Sequence, residues 1–155
     1  MIIYIGADHR GFALKEHIKE ALKTAGGGTE VVDVGAFAND PADDYPDFAR
    51  AVAERVAAAP AASAARGIVI CGSGIGVDIV ANKFRGVRSA LALSAKHIRV
   101  GRNDDDVNVL SLAADFVTPE DALAIVTMFL STPFKEEERF TRRLEKIASM
   151  ENEKK

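Results

Sequence analysis

The chain has 155 residues, 48% hydrophobic and 28% charged, with 20 Lys+Arg against 23 Asp+Glu. That is one globular domain, long enough to bury a core without staples, and too acidic for a broad non-specific nucleic-acid surface. The single cysteine excludes an internal disulfide or a cysteine-rich zinc site, and no apolar run reaches the ~18 residues of a membrane span.

In chain order, Ile2-Ile3-Tyr4-Ile5 reads as a buried strand ending at Gly6. Leu14, Ile18, Ala21, Leu22 and Ala25 lie at helical spacing, and Gly26-Gly27-Gly28 ends that helix. Thr29 to Val34 is a second strand, and Ala38 to Pro46 a polar loop. Phe48 to Ala59 is a second helix, running into an Ala-rich connector over Ala57 to Ala65. Gly67 to Cys71 is a fully apolar third strand, expected to be buried on both faces. A glycine-rich turn leads to a helix over Val77 to Lys83. Val87 to Leu93, a basic helix over Ser94 to Arg102, and Val107 to Leu112 continue the alternation. Thr118-Pro119-Glu120-Asp121 starts a fifth helix, with Thr at the cap, Pro at the first turn and acids behind it. Pro133 breaks the chain before a charged helix from about Glu136. Residues 1–150 read as one domain and 151–155 as a fraying tail.

Strand and helix alternate five times, which predicts an α/β fold with a five-stranded parallel sheet and helices on both faces. Ligands of such sheets bind beyond the carboxyl ends of the strands. The third strand ends in Cys71-Gly72-Ser73-Gly74-Ile75-Gly76. Glycines let backbone N–H groups approach a ligand, and a following helix adds positive potential. One turn thus offers a thiol base and donors for a developing oxyanion. It lacks the Gly-Lys-Ser/Thr of a phosphate-binding P-loop, and Ile79 stands where G-x-G-x-x-G needs its last glycine. The bland reading makes Cys71 a small core residue beside a tight turn.

The first strand ends in Gly6-Ala7-Asp8-His9-Arg10-Gly11, placing an acid, an imidazole and a guanidinium together. These either recognise phosphate and hydroxyls or, for Asp8, cap the first helix. Asp43-Asp44 before Tyr45 read as loop acids, with Tyr45 reaching into a site. Asn103-Asp104-Asp105-Asp106 reads as turn chemistry rather than a metal site. Arg139 and Arg143 share a helix face, either as a phosphate clamp or within a salt-bridged helix where Glu138 pairs Arg142. His17 and His97 read as solvated.

Taken together, these residues resemble the ribose-5-phosphate isomerase B family, which includes galactose-6-phosphate isomerase subunits. The carriers are Gly6 to Gly11, Asp44-Tyr45-Pro46, Ile70 to Gly76, Ala81-Asn82-Lys83, Asp106 to Leu110 and the Arg139/Arg143 pair. The resemblance implies a Rossmann-like α/β/α sandwich and an aldose–ketose isomerase working through a cis-enediolate without metal or organic cofactor. It implies Cys71 as the base and Ser73 as carrier of hydroxyl protons, with the Gly72, Gly74 and Gly76 amides on the enediolate. Asp8, His9, Tyr45, Asp105, Arg139 and Arg143 would bind substrate, the basic ones near phosphate. Where the family often has His-Asn-Asp, this chain reads Asp104-Asp105-Asp106, so Asp104 or Asp8 would assist ring opening, or the free aldehyde would be used. Ala113-Ala114-Asp115 stands where many members carry a Gly-Gly-Arg-like turn. The implied substrate pair is D-ribose 5-phosphate and D-ribulose 5-phosphate. A hexose 6-phosphate and a non-catalytic sugar-phosphate binder are the alternatives. A cytoplasmic homodimer or dimer of dimers is implied, with sites at the dimer interface and no nucleic-acid or membrane partner.

Overall fold

A computed structural model describes residues 1–26, 28–60 and 63–153. The strands are β1 (Ile2–Ala7), β2 (Glu30–Asp33), β3 (Arg66–Cys71), β4 (Ser89–Leu91) and β5 (Val109–Ala113). The helices are α1 (Phe12–Ala25), α2 (Tyr45–Ala58), α3 (Ile75–Ala81), α4 (Ala95–Asp105), α5 (Pro119–Ser131) and α6 (Glu138–Glu153). All strand pairs are parallel, in the order β2-β1-β3-β5-β4. The predicted α/β architecture and strand count are therefore those observed.

The period-2 alternation of side chains divides the core into two layers. Ile68 and Ile70 of β3, with Leu110 and Leu112 of β5, pack against Ile18, Ile98, Ile125 and Phe129 from α1, α4 and α5. Val69 and Cys71 face the other way, onto Val52 and Val56 of α2 and Val77 of α3. The central strands are thus apolar on both faces because helices cover both.

Several boundaries differ from expectation, each for a local reason. β4 is three residues long, not seven. Its expected start is diverted: the Val87 amide closes a turn onto the Phe84 carbonyl, and the Arg88 amide donates to Asn108 Oδ1 at 2.7 Å. α4 runs on through Asp105, so Asp104 and Asp105 lie in a helix rather than a turn. The cap is Asp106, at φ 46°, whose carboxylate takes Arg102 at 2.7 Å and Arg88 at 2.6 Å. α3 begins at Ile75, directly on the glycine turn. α6 is helical through Glu153, and Glu151 Oε2 accepts the Gly86 N–H at 3.0 Å, so residues 151–153 are held rather than frayed. Thr118 caps α5 as expected, accepting the Asp121 N–H at 3.1 Å. Of the Ala-rich connector, Ala61 and Ala62 lie outside the described residues, as do Gly27, Lys154 and Lys155.

Candidate active site at the carboxyl edge of the sheet

β1 and β3 end side by side, Ala7 level with Ile70, so the two motif-bearing strand ends are neighbours. The Asp8 amide donates to the Ile70 carbonyl at 3.3 Å. Asp8 is 5% exposed, and its Oδ1 accepts the Gly11 N–H at 2.9 Å. Gly11 is the residue ahead of α1, so Asp8 fixes the turn that starts that helix.

Cys71 is 4% exposed at the end of β3. The Gly74 amide donates to its Sγ at 3.2 Å. A hydrogen bond of this kind strengthens as its acceptor gains negative charge. Gly74 sits at φ 71°, a left-handed conformation that bends the turn back over the sulfur. The other two glycines are needed for space. A Cβ on Gly72 would lie 2.5 Å from the Arg10 guanidinium carbon, and one on Gly76 2.6 Å from the Tyr45 ring. Tyr45, the first residue of α2, thus lies across the turn. Ser73 is half-buried, its Oγ accepting the Ile75 amide at a long 3.4 Å.

The chain after β5 is stitched to this turn. The Ala114 amide donates to the Cys71 carbonyl at 2.9 Å, and the Asp115 amide to the Gly72 carbonyl at 3.0 Å. Asp115 then forms a close ion pair with Arg10 above Gly72. An acid in the family's Gly-Gly-Arg-like turn reads from sequence as hostile to phosphate. In the fold its charge is taken up by Arg10.

His9 carries the feature that sequence reasoning missed. Its Nδ1 lies 2.7 Å from Asp43 Oδ1, and its backbone N–H donates to the same oxygen at 3.0 Å. The other carboxylate oxygen, Asp43 Oδ2, is buried with no partner among the described residues. Asp43 therefore fixes both the main chain and the ring of His9, leaving Nε2 to a ligand. Asp43 had read only as a loop acid. The aspartates flanking Tyr45 were a visible signal, but nothing in one sequence says that residue 43 meets residue 9.

The remaining predicted site residues lie elsewhere in the chain. Asp104 and Asp105 end α4, which feeds the amino end of β5. Val109 is level with Gly67 and Ala113 with Cys71, so these carboxylates lie beyond the opposite edge of the sheet, at least about 13 Å from Cys71. The start of α6 joins them, with the Lys135 amide donating to the Asn103 carbonyl at 3.0 Å. Partial desolvation and the neighbouring Asp104 push the Asp105 carboxyl above its ordinary value, against the pull of Arg143. Arg139 stacks on Phe140 at 4.5 Å and bonds Glu137 at 2.8 Å, while Glu138 and Arg142 form the expected helical pair. One chain thus brings Asp8, His9, Tyr45, Cys71, Ser73 and the glycines together, and holds Asp104, Asp105, Arg139 and Arg143 apart from them. Two clefts, of about 750 and about 430 Å3, both lie away from Cys71.

Among the described residues no helix is long and apolar enough to cross a membrane, and no group of three His, Cys, Asp or Glu is placed to hold a metal ion.

Comparison with known proteins gives a consistent result. A family model described as Ribose/Galactose Isomerase matches residues 3–147. The chain is 41% identical over 152 residues to a probable ribose-5-phosphate isomerase B of Mycoplasma pneumoniae, covering 98% of this chain and 96% of that protein. It is 40% identical to ribose-5-phosphate isomerase B of Mycobacterium tuberculosis, over 97% of this chain and 90% of the other. Its fold superposes with a TM-score of 0.90, at 42% identity, on the crystal structure of ribose-5-phosphate isomerase B from Mycoplasma genitalium with bound ribulose-5-phosphate. That comparison covers 98% of this chain and 97% of that one. A Clostridium thermocellum ribose-5-phosphate isomerase B also gives 0.90, at 39% identity and 100% coverage of both chains. Sequence, fold and the glycine turn of β3 agree: the chain belongs to the ribose/galactose isomerase family.

Proposed function

We propose that the chain interconverts D-ribose 5-phosphate and D-ribulose 5-phosphate, with Cys71 as the base. The observation that carries this reading is Cys71 Sγ at the carboxyl edge of β3, beneath the Gly74 amide, in a glycine turn against which Tyr45 and Arg10 pack. In the open-chain aldose, Cys71 as thiolate takes the proton from C2. The C–H electron pair forms the C1=C2 bond, and the carbonyl pair moves onto O1. Amides of the Gly72–Gly76 turn stabilise the resulting cis-enediolate, at about 3 kcal/mol per well-placed donor. Ser73 carries the hydroxyl proton from O2 to O1. Cys71 returns its proton to C1, giving the ketose with every atom conserved. Asp8 orders the turn, and His9 and Tyr45 hold substrate.

Phosphate binding and ring opening fall to Arg139, Arg143, Asp105 and Asp104, which one chain holds away from its own Cys71. We therefore assign them to a second copy of the chain, in a homodimer or dimer of dimers whose sites are shared. Exposed apolar side chains support this reading: Ile75 and Ile79 at 55% on α3, and Leu93 at 77% and Phe116 at 78% beyond β4 and β5. A cytoplasmic setting suits the free thiol.

The test is turnover of D-ribose 5-phosphate, with allose and galactose 6-phosphates alongside. Cys71→Ala is expected to lower kcat by about 10²–10⁴-fold with the fold intact. Turnover only of a hexose phosphate would move the substrate and keep the chemistry. Full activity in Cys71→Ala would remove the base, and binding without turnover in the wild type would make the chain a sugar-phosphate binder.

A further inference from the structure

We propose that the cleft at the amino edge of the sheet is a second anion site, for a small molecule bearing a phosphate group. The cleft, about 430 Å3, lies under the start of β3 and β5, across the sheet from the Cys71 turn. Arg66, Arg88 and Arg102 line it, and Asp106 is the one carboxylate among the lining residues described. Both oxygens of Asp106 are already taken, one by Arg102 and one by Arg88. Three guanidinium groups therefore share a single negative charge.

Arg66 is the unmatched member. One of its Nη atoms donates to the Phe129 carbonyl, and its guanidinium stacks on the Phe129 ring at 5.3 Å. Arg102, 5% exposed, lies 6.0 Å from the same ring, so two like charges approach one aromatic side chain. No carboxylate among the described residues pairs with Arg66, and its Nε and second Nη donate to none of them. Burial, and then Arg102, pull its pKa down to about 10, so it stays charged at neutral pH. A half-buried cation with free planar donors, beside a second cation, fits a bidentate oxyanion. The facing wall, including Val56, Pro60 and Ala64, is apolar and leaves room for a short carbon body. The assignment is independent of the isomerase reading, because it uses none of the residues placed in catalysis.

Inorganic phosphate and glycerol phosphate, titrated separately into the isotope-labelled protein at constant ionic strength made up with chloride, are the probes. Expected are saturable shifts of the Gly86 and Asn108 amide signals, lost in Arg66→Gln and severalfold weaker in Arg66→Lys. Isomerase turnover should be unchanged in both variants. A stronger response to glycerol phosphate identifies an organic phosphate as the ligand; equal responses identify free phosphate. If Gly86 and Asn108 stay unmoved in the wild type while the Gly72–Gly76 amides respond, the proposal is overturned and Arg66 is structural only. The wild-type titration decides this even where a variant fails to fold.

Discussion

Asp43 shows how much one carboxylate oxygen does. Both contacts to His9 converge on Oδ1, while Oδ2 is buried without a partner. Asp43→Asn keeps an acceptor at Oδ1, so it should retain most of the isomerase activity. Asp43→Ala frees the ring and the backbone together, and kcat/KM should fall by about tenfold to a hundredfold, the usual cost of a misplaced group. Steady-state kinetics of the two variants checks this; equal losses would mean that His9 is placed by something else. The Cys71 turn was legible in sequence because cysteine, glycines and strand end are contiguous, and the glycine spacing records real close approaches at Gly72 and Gly76. His9–Asp43 and Arg10–Asp115 were not, because each joins distant segments through loop closure.

Elements are fastened by polar brackets that hydrophobic patterning does not reveal. Asn82, at the end of α3, donates to the Ser89 carbonyl at 3.0 Å and accepts the Ser89 amide at 2.9 Å, binding α3 to β4. Asp78 adds a bond to Ser89 Oγ at 2.7 Å, and Ser89 Oγ meets the buried Ser111 Oγ at 2.8 Å. Asn82→Ala should lower stability by about 1 kcal/mol and Tm by about 3 °C, readable by calorimetry. The Ala-Asn-Lys motif after the cysteine turn thus has a mechanical meaning. On the opposite face, Lys15 of α1 is fully buried and reaches Asp33 of β2 at 2.5 Å. Burial pushes the Asp33 carboxyl up, but hydrogen bonds from Lys15, Lys19 and the Gly35 amide outweigh it and hold the group below its ordinary value. A depressed carboxylate stabilises the fold above its unfolded pKa of about 4 and loses that contribution as pH falls through the folded value. Acid unfolding should follow this window, and Asp33→Asn should flatten it while costing about 1–3 kcal/mol at pH 7, because the buried Lys15 then keeps Glu16 as its one carboxylate partner among the described residues. Nothing in the sequence singles out Lys15. Periodicity placed its helix correctly, and only the β2 carboxylate beneath it explains the burial.

At the scale of the whole molecule, the residues assigned to one reaction lie at both edges of one sheet. A shared site makes a sharp expectation. If the chain dimerises as proposed, Cys71→Ala and Arg143→Ala should each be inactive alone, and mixing them under conditions of subunit exchange should restore turnover, since one site of each mixed dimer would be intact. No recovery in mixtures shown by mass to contain heterodimers would exclude sharing. Alternation of strands and helices made the architecture readable from the chain, because the parallel sheet is its direct consequence. The placing of Asp104 and Asp105 at the edge away from Cys71 was not readable from the pattern, since which edge a helix end reaches depends on its length, and the sequence ended α4 at Arg102, before the acids.

The strand order has a temporal consequence. β4 leaves the ribosome before β5, yet in the finished sheet it touches only β5, which must slot between it and β3. Residues 1–71 hold all of β2-β1-β3 and can zip up early, while β4 waits without a strand to pair with. The Cys71 and Gly72 carbonyls likewise receive their amide donors only when Ala114 and Asp115 arrive. A nascent chain shorter than that carries the cysteine but not its finished surroundings, so catalytic competence comes late in synthesis, well after most of the sheet exists.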